Sequence, residues 1–322
     1  MTERDTGAGS HARVREYTTE RYNRPGSEAL RERLAIGAAV LQGPLDMLLA
    51  LEECGADIPA AVWNIAEPQL VTRLYTQGAL AGADILATTT ARANEAALRD
   101  DEIHQSVAAV NRAAVDCARA AEGHPLVVGT VGSYPYPWAA HDEAAYRAAR
   151  AAYREQAYAL LVSGTDGLWL SGFASLHDLD PAREGVLDVA ADMPVLLSVA
   201  CAPDGTLAGD GASLADLVAS LPDHGVDAVG IEMDDSAAAT QALARLSAVC
   251  QLPTFVCAGG SGAVEDPDGF TRWADPDSAL TLACRAWVAH GACAICTAGQ
   301  GTPRDLVELA EARDERQMVR SA

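Results

Sequence analysis

Four side chains with chemical potential stand at the ends of short apolar runs: Cys201, Glu232, Cys257 and Cys296. A thiolate is a nucleophile and a soft metal ligand. A nearby carboxylate can move a proton or join a metal's shell. Three thiolates, or two with Glu232, would suit a zinc ion if they converged. The plainer reading of each cysteine is a small apolar residue inside a strand. Glu232, Cys257 and Cys296 are the catalytic candidates, with Asp234 a second acid beside Glu232. Gln42, Thr88, Thr90, Tyr134 and Ser171 also follow apolar runs and are candidates for orienting a substrate. Among the histidines only His141 and His177 fall where they would reach the same region, and a surface role is the ordinary one for either. No GxSxG or HExxH pattern occurs, and no GxGxxG follows the first apolar run. The glycine-rich stretch after Cys257 would have to bind phosphate through backbone N–H groups, and a connecting loop is the simpler reading.

Composition narrows the chemistry further. All 23 basic residues are arginine, against 45 acidic ones, for a net charge of −22 over 322 residues. Without lysine there is no Schiff-base chemistry, no pyridoxal-phosphate anchor and no phosphate-loop lysine. The charge disfavours nucleic acid and anionic membranes as partners, although acidity also serves solubility. No apolar run reaches the ~18 residues of a membrane span, and the polar N-terminus has no signal-peptide core. The eight cysteines are scattered, which points to a reducing cytoplasm without a disulfide framework.

The elements that must hold these groups alternate. Eight short, almost wholly apolar runs occupy residues 36–41, 83–87, 125–129, 167–170, 194–199, 228–231, 253–257 and 292–296. They read as strands buried on both faces. Helical periodicity fills residues 68–80, 91–120, 143–163, 212–221, 236–250 and 277–290, with Ser213, Asp235 and Asp275 as capping residues. Eight such units in about 275 residues predict a single α/β domain, a (β/α)8 TIM-type barrel over 35–310. A charged N-terminal extension over 1–34, with a short helix near 27–34, and a tail over 311–322 flank it. An open doubly wound sheet is the alternative. In a barrel the site forms at the C-terminal ends of the strands, where the candidates above all lie.

The order of segments resembles the homocysteine S-methyltransferase family. The segment 82–93, GADILATTTARA, is similar to that family's second-strand signature. Val62-Trp63-Asn64 followed by Pro68, the turn 129–134 (GTVGSY) and the last strand 291–303 (GACAICTAGQGTP) match further family segments in order, so the resemblance covers about residues 36–310. It implies the same barrel and transfer of a methyl group to a thiol held by zinc through three cysteines. Those ligands do not carry over: Met233 stands at the cysteine after the sixth strand, and Ala298 and Gly299 stand at the Cys-Cys pair after the eighth. The family's Asp-Gly-Gly reads Gln42-Gly43-Pro44, and its Glu-Thr after the fourth strand reads Ser171-Gly172. We therefore expect a divergent one-carbon transferase acting on small molecules with no assigned cofactor, zinc being accommodated only by a rearranged site. The alternatives are a catalytically retired barrel acting as a binding or partner subunit, with room for a protein partner or a homo-oligomer, and a metal-free lyase or hydrolase using Glu232 and Asp234.

Overall fold

A computed structural model describes residues 25–50, 58–133, 142–260, 263–265, 271–273, 278–297 and 301–321. The strands are β1 (Ala39–Gln42), β2 (Ile85–Ala87), β3 (Leu126–Val131), β4 (Gly167–Phe173), β5 (Val195–Ala200), β6 (Ala228–Met233), β7 (Thr254–Ala258), a small antiparallel hairpin of β8 (Ala263–Glu265) and β9 (Thr271–Trp273), and β10 (Ala294–Cys296). Eight of them close a parallel barrel in the order β1-β10-β7-β6-β5-β4-β3-β2. Each of the eight expected runs is one of its strands, so the expected α/β barrel is the observed fold.

Two boundaries differ for local reasons. Ile36 is not in the first strand. It ends the helix Pro25–Ile36, and Gly37 and Ala38 at positive φ (91° and 49°) turn the chain into β1. The helical stretch 91–120 is broken in two, Glu95–Asp100 and Val107–Arg119. Asn94 and Ser106 each cap a new helix by accepting an N–H three residues on, from Ala97 and Ala109. His104 lies in the connection between them, not in a helix. At the other end, Ser213 and Asp216 form a reciprocal capping box, and Asp235 caps the helix Ser236–Val249; Asp275 lies outside the described residues.

Alternation along the strands divides two cores. Outward residues such as Val40, Leu86, Val127, Leu197, Ile231 and Val256 pack on the helices. Inward residues, including Leu41, Ile85, Val128, Trp169, Leu196 and Phe255, fill the barrel. Each fully buried residue of this size contributes about 1.5–3 kcal/mol of hydrophobic stabilisation. Gly230 faces inward because a Cβ there would lie 2.6 Å from the Phe255 ring. Phe255 in turn meets Trp169 edge-on, with centroids 6.3 Å apart. Leu30 and Leu34 of the helix Pro25–Ile36, across the expected boundary at residue 34, belong to this inner cluster and plug the end at which the strands begin. The helix Pro303–Ser321 likewise runs unbroken across residue 310.

That same end carries a repeated foot. Gly82-Ala83-Asp84, Gly164-Thr165-Asp166, Gly225-Val226-Asp227 and Gly291-Ala292-Cys293 precede β2, β4, β6 and β10, each glycine at φ between 86° and 106°. The third residue donates its N–H to the preceding strand, at Val40, Val127, Val195 and Thr254 respectively. In three feet the carboxylate also takes the N–H of that valine at 2.8–2.9 Å. Arginines close these feet: Arg33 and Arg313 on Asp84, Arg119 on Asp166, Arg31 on Asp227. In the fourth foot Cys293 is buried, and burial pushes its thiol up to about 12.

Candidate active site

At the opposite end, the inward faces of the barrel strands carry neutral groups around one acid. The eight barrel strands contain no Arg or His, and Glu232 is their only charged side chain at neutral pH. It points inward because it is two and four residues beyond Gly230 and Ala228 on β6. Its Oε1 accepts three hydrogen bonds, from Ser171 Oγ at 2.9 Å, the Gly172 N–H at 2.8 Å and Ser198 Oγ at 2.5 Å.

Each donor has a structural reason to be there. Strand register slips between Leu170 and Phe173, leaving Ser171 and Gly172 in a bulge on β4. Gly172 sits at φ 75°, which a side chain would strain, and its N–H turns across β5 towards Glu232. Ser198 is the single polar residue of β5 and is fully buried. The indole N–H of Trp169 donates to Ser198 Oγ at 2.7 Å. Indole can only donate, so the serine's own hydrogen goes to the short contact with Glu232 in preference to Leu170 O at 3.4 Å. Among the described residues Oε2 receives no hydrogen bond, and a Cβ added at Gly172 would lie 3.7 Å from it. Among the described residues, one oxygen is therefore held and the other is not.

The thiols join the same inner wall. Strand register aligns Glu232 with Cys257 and Cys257 with Cys296. Both cysteines are about 1% exposed. Burial, and then the neighbouring Cys296 and the Glu232 charge, hold the Cys257 thiol well above the ordinary range. Cys296 donates to Thr297 O at 3.1 Å. Cys201, at the end of β5, is pushed up to about 12 by burial and by the charge of Glu232. Cys201 and Cys257 are thereby held in the thiol form.

The other expected site residues separate. Ser171 is bonded to Glu232. Thr88 and Thr90 are fully buried and bonded to each other at 2.7 Å, and they pin β3 through the Thr130 N–H and C=O. Gln42 does not face the barrel interior; alternation turns it outward, where its amide lies against Gly78 of the helix Pro68–Leu80. Tyr134 and His141 lie outside the described residues. Sequence reasoning missed Ser198 and Trp169, although a lone serine in the apolar run VLLSVA, in phase with the inward face, was a readable signal.

A family model described as homocysteine S-methyltransferase matches residues 39–313. The chain belongs to the homocysteine S-methyltransferase family. Its fold is similar to the homocysteine methyltransferase MmuM from Escherichia coli in the metallated form, at TM-score 0.70 and 24% identity over 88% of this chain and 99% of that one. The oxidised form of MmuM gives TM-score 0.68 and 23% identity over 86% and 96% of the two chains, and the apo form 0.65 and 24% over 85% and 95%. At this identity the likeness carries the barrel and not the site. No curated protein sequence matches. No helix among the described residues is long and apolar enough to cross a membrane.

The positions that the family resemblance assigns to zinc test poorly. Met233 is a thioether, 6% exposed, and belongs to the outer core that packs on the helices. Ala298 and Gly299 have no donor side chain. Among the described residues no three His, Cys, Asp or Glu side chains are placed to share a metal ion. These residues do not fit a zinc ion.

Proposed function

We propose that the protein transfers a methyl or similar one-carbon group between small molecules without a zinc-held thiolate, using Glu232 as the proton acceptor. The observation that carries this reading is the lone carboxylate on the barrel wall, held through Oε1 by Ser171, Gly172 and Ser198 with Oε2 left open. In the reaction, the acceptor's S–H or N–H gives its proton to Oε2. The freed electron pair attacks the methyl carbon, and the bond from that carbon to the donor heteroatom breaks with its electrons going to the leaving group. A cationic donor leaves as a neutral molecule. The negative, arginine-free wall favours such a cation over an anion. The buried cysteines Cys257 and Cys296 complete the floor beside the acid.

The test is methyl transfer from an alkyl sulfonium or a quaternary ammonium donor to homocysteine, followed by mass spectrometry of the product. Turnover that persists under strong chelation and is lost in Glu232→Gln supports the reading. Turnover that chelation abolishes and zinc restores overturns it, as does an unimpaired Glu232→Gln. Complete inactivity of the wild type with every donor would favour a binding subunit instead.

A further inference from the structure

A second acid sits on the far side of the barrel rim. Asp46 follows β1 by four residues, and the Leu45 N–H bonded to Thr89 Oγ1 at 3.0 Å fixes its loop over the end of β2. Asp46 Oδ2 is buried and has no hydrogen-bond partner among the described residues. Burial raises the Asp46 carboxyl above its ordinary range, against the weaker pulls of a hydrogen bond from its own backbone and of Arg92. Beside it is a cavity of about 230 Å³, roughly the space of seven or eight waters. Ile58, Pro59, Ala60, Ala61 and Ala91 form the apolar part of its wall, and Asp46, Arg92 and Asp101 are its charged part. Thr89 Oγ1 also lines it but already accepts the Leu45 N–H and bonds to the Tyr75 hydroxyl.

Arg92 does not neutralise this acid. Its Nη2 bonds Asp101 at 2.6 Å and Asp100 at 3.1 Å, and its Nε bonds Asp101 at 3.1 Å. Three carboxylates thus surround one guanidinium, and Asp46 is the one left over. An unpaired buried carboxylate is costly and is relieved by a cation that can donate hydrogen bonds. Small apolar walls suit a short alkyl body attached to that cation.

We propose that this cavity binds a small aliphatic ammonium, with its N–H groups donated to Asp46 Oδ2 and its alkyl part against Ile58, Ala60 and Ala61. In the barrel ring β2 stands opposite β6, so the site is separate from Glu232 and does not depend on the reaction proposed there. Full-length protein is titrated with n-propylammonium chloride, with 1-butanol as the neutral analogue and sodium chloride as the salt control, and binding is read by saturation-transfer NMR. Saturable propylammonium binding is expected, at least tenfold weaker in Asp46→Asn and in Ile58→Trp, and unchanged in Glu232→Gln. Absent binding to the wild type, equal binding to Asp46→Asn, or equal uptake of 1-butanol overturns the proposal. So does loss of binding in Glu232→Gln with Asp46→Asn unaffected. The two site variants act through charge and through volume. If cooperative unfolding shows that one has not folded, the other decides.

Discussion

Asp166 and Glu232 are both acids on the inner rims of one barrel, yet they are held in opposite ways. Asp166 immediately precedes β4 and is nearly sealed from water; it is bonded to a backbone N–H and paired with Arg119 at 2.6 Å. Asp84 and Asp227 repeat that arrangement. Glu232 ends β6 and meets only neutral donors, all on one oxygen. An ion-paired, bonded carboxylate has no capacity left for a substrate. A carboxylate fixed through one oxygen by hydroxyls and an amide has, among the described residues, no hydrogen bond on the other. The feet hold strands in register, and at the mouth Glu232 is the acid proposed to accept a proton. Asp46 is a third case, a buried acid with one oxygen, Oδ2, that has no hydrogen-bond partner among the described residues.

The contrast fails most visibly if Glu232→Gln spares turnover. Its loss as a base is expected to cost about 100-fold or more in methyl transfer, with little change in melting temperature. Asp166→Ala should do the reverse. It orphans the Val127 N–H and leaves Arg119 only its bonds to Gly164 O, for a destabilisation of about 1–3 kcal/mol in chemical denaturation; an unchanged midpoint would remove the feet from the account of stability. Ser198→Ala sharpens the mouth. Glu232 loses one donor and Trp169 its acceptor, and kcat should fall about tenfold with KM nearly constant, equivalent to one hydrogen bond of about 1.4 kcal/mol. A larger change in KM than in kcat would mean that Ser198 contacts substrate.

The smallest effect concerns Asp46 and has the opposite sign to the feet. Its folded-state pKa is raised by burial, so the folded protein binds the proton more readily than the unfolded chain. Wild-type stability then falls as pH rises through that folded pKa. Asp46→Asn should be the more stable protein at neutral pH, and its advantage should shrink as the buffer is made acidic enough to protonate Asp46. Denaturation of both proteins across that pH series is the measurement, and a variant less stable at every pH would contradict it.

The barrel was legible because its strands are buried on both faces and announce themselves as apolar runs, while Ser213 and Asp235 mark helix starts through local hydrogen bonding. Pattern reading lost Ile36 and the break at Asp101–Ser106 because a positive-φ turn overrides periodicity. For the site, the apolar run placed Glu232 at the end of the sixth strand, and whether it points inward was left to the register. Alternation could have warned that Gln42, one residue beyond the inward Leu41, faces the helices. Thr88 and Thr90 look like free hydroxyls in sequence, and only their mutual contact shows them occupied.

The sequence alone determined the residue inventory, namely no lysine, Glu232 directly after the sixth apolar run, and Met233, Ala298 and Gly299 where the family has thiolates. These follow from composition and local periodicity, which need no knowledge of distant neighbours. The tertiary structure decided which groups meet. Residues 171, 172, 198 and 232 are brought together by strand order, register and a bulge. Hydrogen bonds form over about 3 Å, a distance that separation along the chain cannot specify and that closure of the barrel does.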